Sequence, residues 1–223
     1  MLDATGRAKA RIVIGLPPSR LGLMQRSAGQ VRIIGGRLRG TRIPVPDVPG
    51  LRPTPDRVRE TLFNWLMPGL TGARCLDLYA GTGVLGLEAL SRGGAECWFV
   101  ERDARLAAAL EATLLRFTGQ GSTGPGGAPA RGRVLVTDAL RWLDRPPLSA
   151  FDVVFLDPPY AANNLGDLCK LLARGWLAPQ AWVYLETSRS LEFPVLPAGW
   201  QLHRESQAGD VRYALATVRS SNP

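Results

Sequence analysis

Histidine, lysine and cysteine are scarce in this chain of 223 residues. There is one histidine, His203, and there are two lysines, Lys9 and Lys170. The cysteines, Cys75, Cys97 and Cys169, are odd in number, widely spaced and form no CxxC pair. That excludes a Cys/His zinc centre, and no metal is expected. Dispersed thiols also suit a reduced compartment, so a cytoplasmic protein is expected. No apolar run approaches the roughly 18 residues of a membrane-spanning helix. No signal peptide is expected either, because Pro17, Pro18 and Arg20 interrupt the one apolar patch near the start. Hydrophobic residues make up 45% of the chain. This excludes disorder over most of its length and allows one large domain with a sizeable core.

Acids are scarce at the front. The first 60 residues hold twelve basic groups against four acids, which is the whole formal net charge of +8. The other residues balance to zero. Such asymmetry points to a polyanionic partner, nucleic acid first and an acidic membrane surface second. The plain alternative is a solvated tail in an arginine-rich composition.

Residues 1–29 are aperiodic and read as a flexible basic extension. Val31–Ile34 and Thr41–Val45 flank a Gly-Gly-Arg-Leu-Arg-Gly loop and read as a β-hairpin within 30–50. A helix follows, with Thr54 as its expected N-cap and Pro55 at its first position. Val58, Leu62, Trp65 and Leu66 form its apolar stripe. From residue 74 strands and helices alternate. Strands are expected at Cys75–Tyr79, Cys97–Glu101, Arg133–Thr137, Phe151–Asp157 and Ala181–Glu186. Helices are expected at Val84–Ser91, Ala104–Phe117, Ala139–Leu143 and Leu165–Gly175. This alternation predicts an α/β fold with a parallel sheet covered on both faces. Gln201–Ser206 and Val211–Val218 read as an antiparallel hairpin closing the sheet. Residues 119–132, with six glycines and two prolines, read as a surface loop.

Two segments bear chemistry. The first runs Asp77-Leu78-Tyr79-Ala80-Gly81-Thr82-Gly83-Val84-Leu85-Gly86, where a strand turns into a helix. Its glycines match the dinucleotide fingerprint, with Glu101 about 20 residues on. A nicotinamide or flavin enzyme is therefore a competing reading. Asp77 weighs against it, since a carboxylate there would repel a pyrophosphate. The same carboxylate suits a cofactor with a cationic amino-acid end, such as S-adenosyl-L-methionine. Glu101 can accept from ribose hydroxyls, and Asp138 from an adenine amine. Arg102 and Ala139 adjoin them in the same crevice, where open α/β sheets bind ligands. The plain reading of each single acid is a helix cap.

The second segment is Asp157-Pro158-Pro159-Tyr160. Two prolines remove two backbone donors and stiffen the turn. Acceptors are left, the Asp157 carboxylate and the Pro158 carbonyl, followed by an aromatic ring. That set suits a base with an exocyclic amine, held by two N–H bonds while Tyr160 stacks on it. The plain reading is an Asp-Pro turn ending a strand. Together the two segments point to methyl transfer onto an amine. The turn alone does not separate adenine, cytosine and guanine, or RNA from DNA. A non-catalytic factor on the same scaffold is a third reading.

The runs Arg32–Gly36 and Leu51–Leu66, then Cys75-Leu76-Asp77, Ala80–Gly83, Gly86–Arg92 and Asp157–Tyr160, resemble the RsmD family, bacterial 16S ribosomal RNA guanine-N2 methyltransferases. The resemblance spans roughly residues 31–218 and resumes weakly at Leu202–Glu205. It implies a Rossmann-like seven-stranded methyltransferase sheet over 51–223, mostly parallel, with one antiparallel strand from the C-terminal hairpin. It implies S-adenosyl-L-methionine as cofactor and 16S ribosomal RNA, or a small-subunit assembly particle, as partner. The expected protein is a monomer without a membrane partner. By the same resemblance Thr54 and Arg57 belong to a segment closing over the cofactor. Arg32, Arg37, Arg39, Arg42, Arg52 and Arg59 would contact RNA. The long glycine loop and residues 1–29 depart from the family pattern.

Overall fold

The computed structural model describes residues 10–12, 27–49, 51, 53–119 and 131–218. Arg52 and residues 120–130 of the glycine-rich loop lie outside them. The strands are β1 (Ala10–Ile12), β2 (Ser27–Arg32), β3 (Arg42–Pro46), β4 (Arg74–Asp77), β5 (Glu96–Glu101), β6 (Arg131–Val136), β7 (Phe151–Leu156), β8 (Leu177–Ser188), β9 (Trp200–Ala208) and β10 (Val211–Val218). The helices are α1 (Asp56–Leu70), α2 (Val84–Ser91), α3 (Ala104–Gly119), α4 (Ala139–Leu143) and α5 (Leu165–Leu172).

The sheet order is β1-β6-β5-β4-β7-β8-β10-β9. Strands β6, β5, β4, β7 and β8 are parallel. The last strand, β10, runs antiparallel between β8 and β9. The expected seven strands are thus present, and Ala10–Ile12 adds an eighth, antiparallel to β6. Those three residues are not the loose tail expected over 1–29. A short segment can satisfy its backbone groups on an open strand edge from far away in sequence. Strand β2 likewise begins at Ser27, four residues before the expected start.

The order reverses at β4 and β7, because the chain winds from β4 through β5 to β6 and then returns to lay β7 on the other side of β4. That reversal opens a crevice at the carboxyl ends of β4 and β7. One core face packs α1, α2 and α3 on the sheet, and also takes Ile33 and Ile43 of the β2–β3 hairpin. The other face packs α4 and α5 around Trp98, Trp142 and Trp176.

Helix α1 buries Val58, Leu62, Phe63, Leu66 and Leu70. Phe63 meets Phe155 of β7 with ring centroids 6.0 Å apart. Each such fully buried side chain is worth about 1.5–3 kcal/mol. Arg57, Glu60 and Asn64 share the exposed face. The helix begins at Asp56, so the expected N-cap is corrected. Pro55 occupies the cap position, and the Thr54 side chain bonds elsewhere.

The hairpin loop docks on the C-terminal turn of α2. Arg37 N donates to Ser91 O at 2.9 Å, and Ser91 Oγ donates to Gly35 O at 2.7 Å. Gly36 sits at φ +73, and a Cβ there would lie 2.1 Å from Ser91 O. Only glycine allows that approach.

Candidate active site

Carboxyl groups from four neighbouring strand ends converge on the crevice: Asp77 on β4, Glu101 on β5, Asp157 after β7 and Glu186 on β8. The β4–α2 loop is shaped by backbone bonds. Ala80 N donates to Val100 O at 3.1 Å, and Gly83 N to Ala80 O at 2.6 Å. Gly83 is left-handed at φ +75, and a Cβ there would strike Leu110. Gly86 packs so closely on β5 that a Cβ would meet Phe99 at 2.3 Å. Leu78 and Ala80 are buried, and Tyr79 is half-buried with its hydroxyl accepting from Asn164 Nδ2 at 3.0 Å.

Asp77 is buried and accepts from Gly86 N at 3.2 Å. Burial pushes its pKa up to about 7, and the Glu101 charge adds to this against the Gly86 bond. Glu101 is tied down by two amides, Gly81 N at 2.9 Å and Asp103 N at 2.8 Å. Arg102 beside it is exposed. Asp138 acts as the helix cap that the plain reading allowed. Its Oδ1 accepts from Arg141 N at 3.0 Å, ahead of buried Ala139.

Thr54 is buried and its hydroxyl donates to Asp157 Oδ2 at 3.4 Å. The pre-helix segment is therefore laid directly against the Asp-Pro-Pro-Tyr turn. Pro158 is buried, and Tyr160 is 38% exposed, so its ring is open to a ligand. The Tyr160 hydroxyl donates to Glu186 Oε1 at 3.2 Å, and the Tyr184 hydroxyl to Glu186 Oε2 at 2.5 Å. Asp157 and Glu186 lie within hydrogen-bonding reach of each other. Burial raises the pKa of Asp157 well above the carboxylate range, and the Glu186 charge raises it further. Burial also raises Glu186, while the two tyrosine hydroxyls and Asp157 favour its anion.

Sequence reasoning misses Glu186, Tyr184 and Asn164. Glu186 has a signal, as it ends an expected strand just as Asp77, Glu101 and Asp157 do. A cavity of 210 Å³ beside the turn is lined by Pro158, Tyr160, Asn164 and Glu186, among others.

Four of the six arginines expected on RNA, Arg32, Arg37, Arg39 and Arg42, are exposed on the hairpin. Arg32 and Arg42 line a 340 Å³ hollow with Gln30, Val31 and Asp56. Arg52 lies outside the described residues. Arg59 is corrected: it is fully buried and cannot touch RNA. Its guanidinium donates to Thr54 O at 3.1 Å, to Arg32 O at 2.9 Å and to Glu88 Oε2 at 3.4 Å, and it also pairs with Asp56. It ties the hairpin and the pre-helix segment to α2. Arg57 is exposed on the first turn of α1. Among the described residues there is no group of three or more metal-ligating side chains. Nor is any described helix long and apolar enough to cross a membrane.

A family model described as "Conserved hypothetical protein 95" matches residues 31–217. The chain is 44% identical to ribosomal RNA small subunit methyltransferase D of Escherichia coli K12, over 84% of this chain and 90% of that protein. It is 41% identical to the protein of the same name from Haemophilus influenzae, over 84% of this chain and 93% of that one. Among solved structures, Escherichia coli yhhF superposes with a TM-score of 0.75 at 41% identity, covering 86% of this chain and all of that one. An RNA methyltransferase from Salinibacter ruber, solved with S-adenosyl-L-homocysteine, shares the fold at TM-score 0.53 and 19% identity, over 77% of this chain and 97% of that one.

Proposed function

The chain belongs to the Conserved hypothetical protein 95 family, the family of ribosomal RNA small subunit methyltransferase D, and from that premise we propose that it methylates the exocyclic N2 amine of one guanine in 16S ribosomal RNA, using S-adenosyl-L-methionine. The observation that carries the reading is the placement of the Asp157–Pro158 acceptor pair beside Asp77, at the point where strand order reverses.

The crevice fits this cofactor through its acid set. Asp77 would hold the cationic amino group, and Glu101 the ribose hydroxyls. The exposed Asp138 carboxylate, with Arg102 and Ala139 nearby, would meet the adenine end. The loop from Leu78 to Gly83 brings backbone close to the ligand. Thr54 and Arg57 would close the other side. When bound, the cofactor supplies an electrophilic methyl group on a sulfonium sulfur.

The protein's own residues hold the acceptor base. Asp157 Oδ and the Pro158 carbonyl accept the two N–H bonds of the amine, and Tyr160 stacks on the ring. These bonds favour a pyramidal nitrogen with its lone pair out of the ring plane. Positioning of this kind can supply roughly 7–11 kcal/mol of the barrier. The nitrogen gives up its proton last, and Asp157, with its raised pKa, is a fit acceptor. A stacked or paired guanine must be flipped out to reach Tyr160.

On the RNA side, Arg32, Arg37, Arg39 and Arg42 are exposed on one hairpin, and we assign them the phosphate contacts. Transfer of a labelled methyl group to small-subunit RNA, but not to duplex DNA, tests the assignment. Label on DNA alone would overturn it.

A further inference from the structure

The Asp-Pro-Pro-Tyr turn explains an amine but not why the amine should be guanine's. The bases differ in the ring atom beside that amine. In guanine N2 is flanked by N1–H, a donor. In adenine N6 is flanked by N1, an acceptor, and in cytosine N4 by N3, also an acceptor. A second anionic acceptor next to the amine seat would therefore favour guanine and repel the other two.

Glu186 is placed to be that acceptor. It lies near the end of β8, the strand next to β7, and is within hydrogen-bonding reach of Asp157. The two carboxyls thus lie side by side, as N1–H and N2–H do on the guanine edge. Glu186 also lines the cavity that Pro158 and Tyr160 line. The hydroxyls of Tyr160 and Tyr184 donate to its two oxygens and fix the carboxylate plane. Each oxygen keeps a second lone pair. Burial makes this carboxylate costly to keep charged, and the two tyrosine donors offset part of that cost.

We propose that Glu186 is the specificity-determining residue of this site, accepting the N1–H of the target guanine while Asp157 and the Pro158 carbonyl hold its N2 amine. The assignment rests on the guanine-N2 reading above. Reading a donor with a buried acceptor rejects a base that lacks it, because the acceptor is then left unpaired.

2-Aminopurine tests this, since it retains the 2-amine but has an acceptor at N1. The target guanine, once mapped, is replaced by 2-aminopurine in ligated 16S RNA, reassembled with small-subunit proteins. Methyl transfer is then compared with the guanine particle. The unaltered protein is expected to prefer guanine at least about tenfold in kcat/KM. In Glu186→Gln the amide can donate to N1 of 2-aminopurine, and the preference should shrink by about tenfold or reverse. An equal preference in both proteins overturns the role of Glu186 while leaving guanine methylation intact. Should the variant fail to fold, the unaltered protein decides alone, because equal use of both bases overturns the proposal. If the unaltered protein methylates neither particle, the guanine-N2 reading itself has failed.

Discussion

Asp77 should make cofactor binding depend on pH in a way that its burial dictates. Its carboxyl is 3% exposed, and its pKa stands at about 7 where 3.8 is ordinary. A carboxylate that must hold an ammonium group has to lose its proton first. In the free protein at pH 5.5, only about 3% of Asp77 is ionised. At pH 7.5 about three quarters is. The ligand's α-amino group, with a pKa near 8, offsets a little of this. The net expectation is about twentyfold weaker binding at pH 5.5 than at 7.5, or close to 1.8 kcal/mol. Binding at pH 6 should release about 0.9 proton. Titration calorimetry in two buffers of different ionisation heat measures both quantities. Asp77→Asn should bind weakly with no such acid limb. A flat affinity from pH 5.5 to 7.5, or the same slope in the variant, would refute the reasoning.

The same shift is a statement about stability. Asp77 is raised in the folded state, so it costs almost nothing below about pH 3, where it is protonated folded or unfolded. The penalty grows as pH rises toward 7 and then levels off, at up to roughly 4 kcal/mol. Cofactor-free Asp77→Asn is accordingly expected to melt higher than the parent at pH 8, while losing the melting shift that cofactor gives. Equal melting temperatures at pH 8 would count against the burial argument.

Three further outcomes are expected. Asp157→Ala should abolish methyl transfer while cofactor affinity stays within roughly tenfold, about 1.4 kcal/mol; near-normal turnover would show that the amine is oriented otherwise. Neutralising Arg37, Arg39 and Arg42 together should weaken RNA binding and flatten its salt dependence, by about 0.7–0.9 log units for each phosphate no longer neutralised; an unchanged slope in a filter-binding series would place the RNA elsewhere. Arg59→Met leaves buried Glu88 with only Arg92 and the Ile34 amide and unpairs the carbonyls of Thr54 and Arg32. It should cost about 3 kcal/mol in urea unfolding, and a loss below about 1 kcal/mol would contradict the anchoring role.

Legibility in the sequence followed the range of the forces involved. Helix α2 lies where the spacing predicts it, because a glycine turn sets its start and a Gly-Gly pair follows its end. Strand β10 also keeps its expected bounds. Asp77, Glu101, Asp138 and Asp157 sit at or just past the ends of four successive strands, as the alternation of apolar runs predicts. Arg59 shows the opposite. A charged residue on a helix reads as exposed, yet Glu88, 29 positions away, receives it in the core. Its spacing to Phe63, Leu66 and Leu70 put it on the inner stripe, a local hint outweighed by its charge. Thr54 had the chemistry of a cap, but a tertiary partner 103 residues away took its hydroxyl. The pairing of Ala10–Ile12 with β6 is equally non-local. Glu186 was legible as a strand end, but its tyrosine donors were not, since only folding brings Tyr160 back to β8.

We propose that this chain places one methyl group on a guanine N2 of small-subunit ribosomal RNA. Mass mapping of 16S RNA from a strain lacking the protein, beside its parent, tests it most directly. One N2-methylguanosine should disappear and return when the gene is restored, but not when Asp157→Ala is supplied. An unchanged set of N2-methylguanosines, or the loss of a methyl group from an adenine or a cytosine instead, would contradict it.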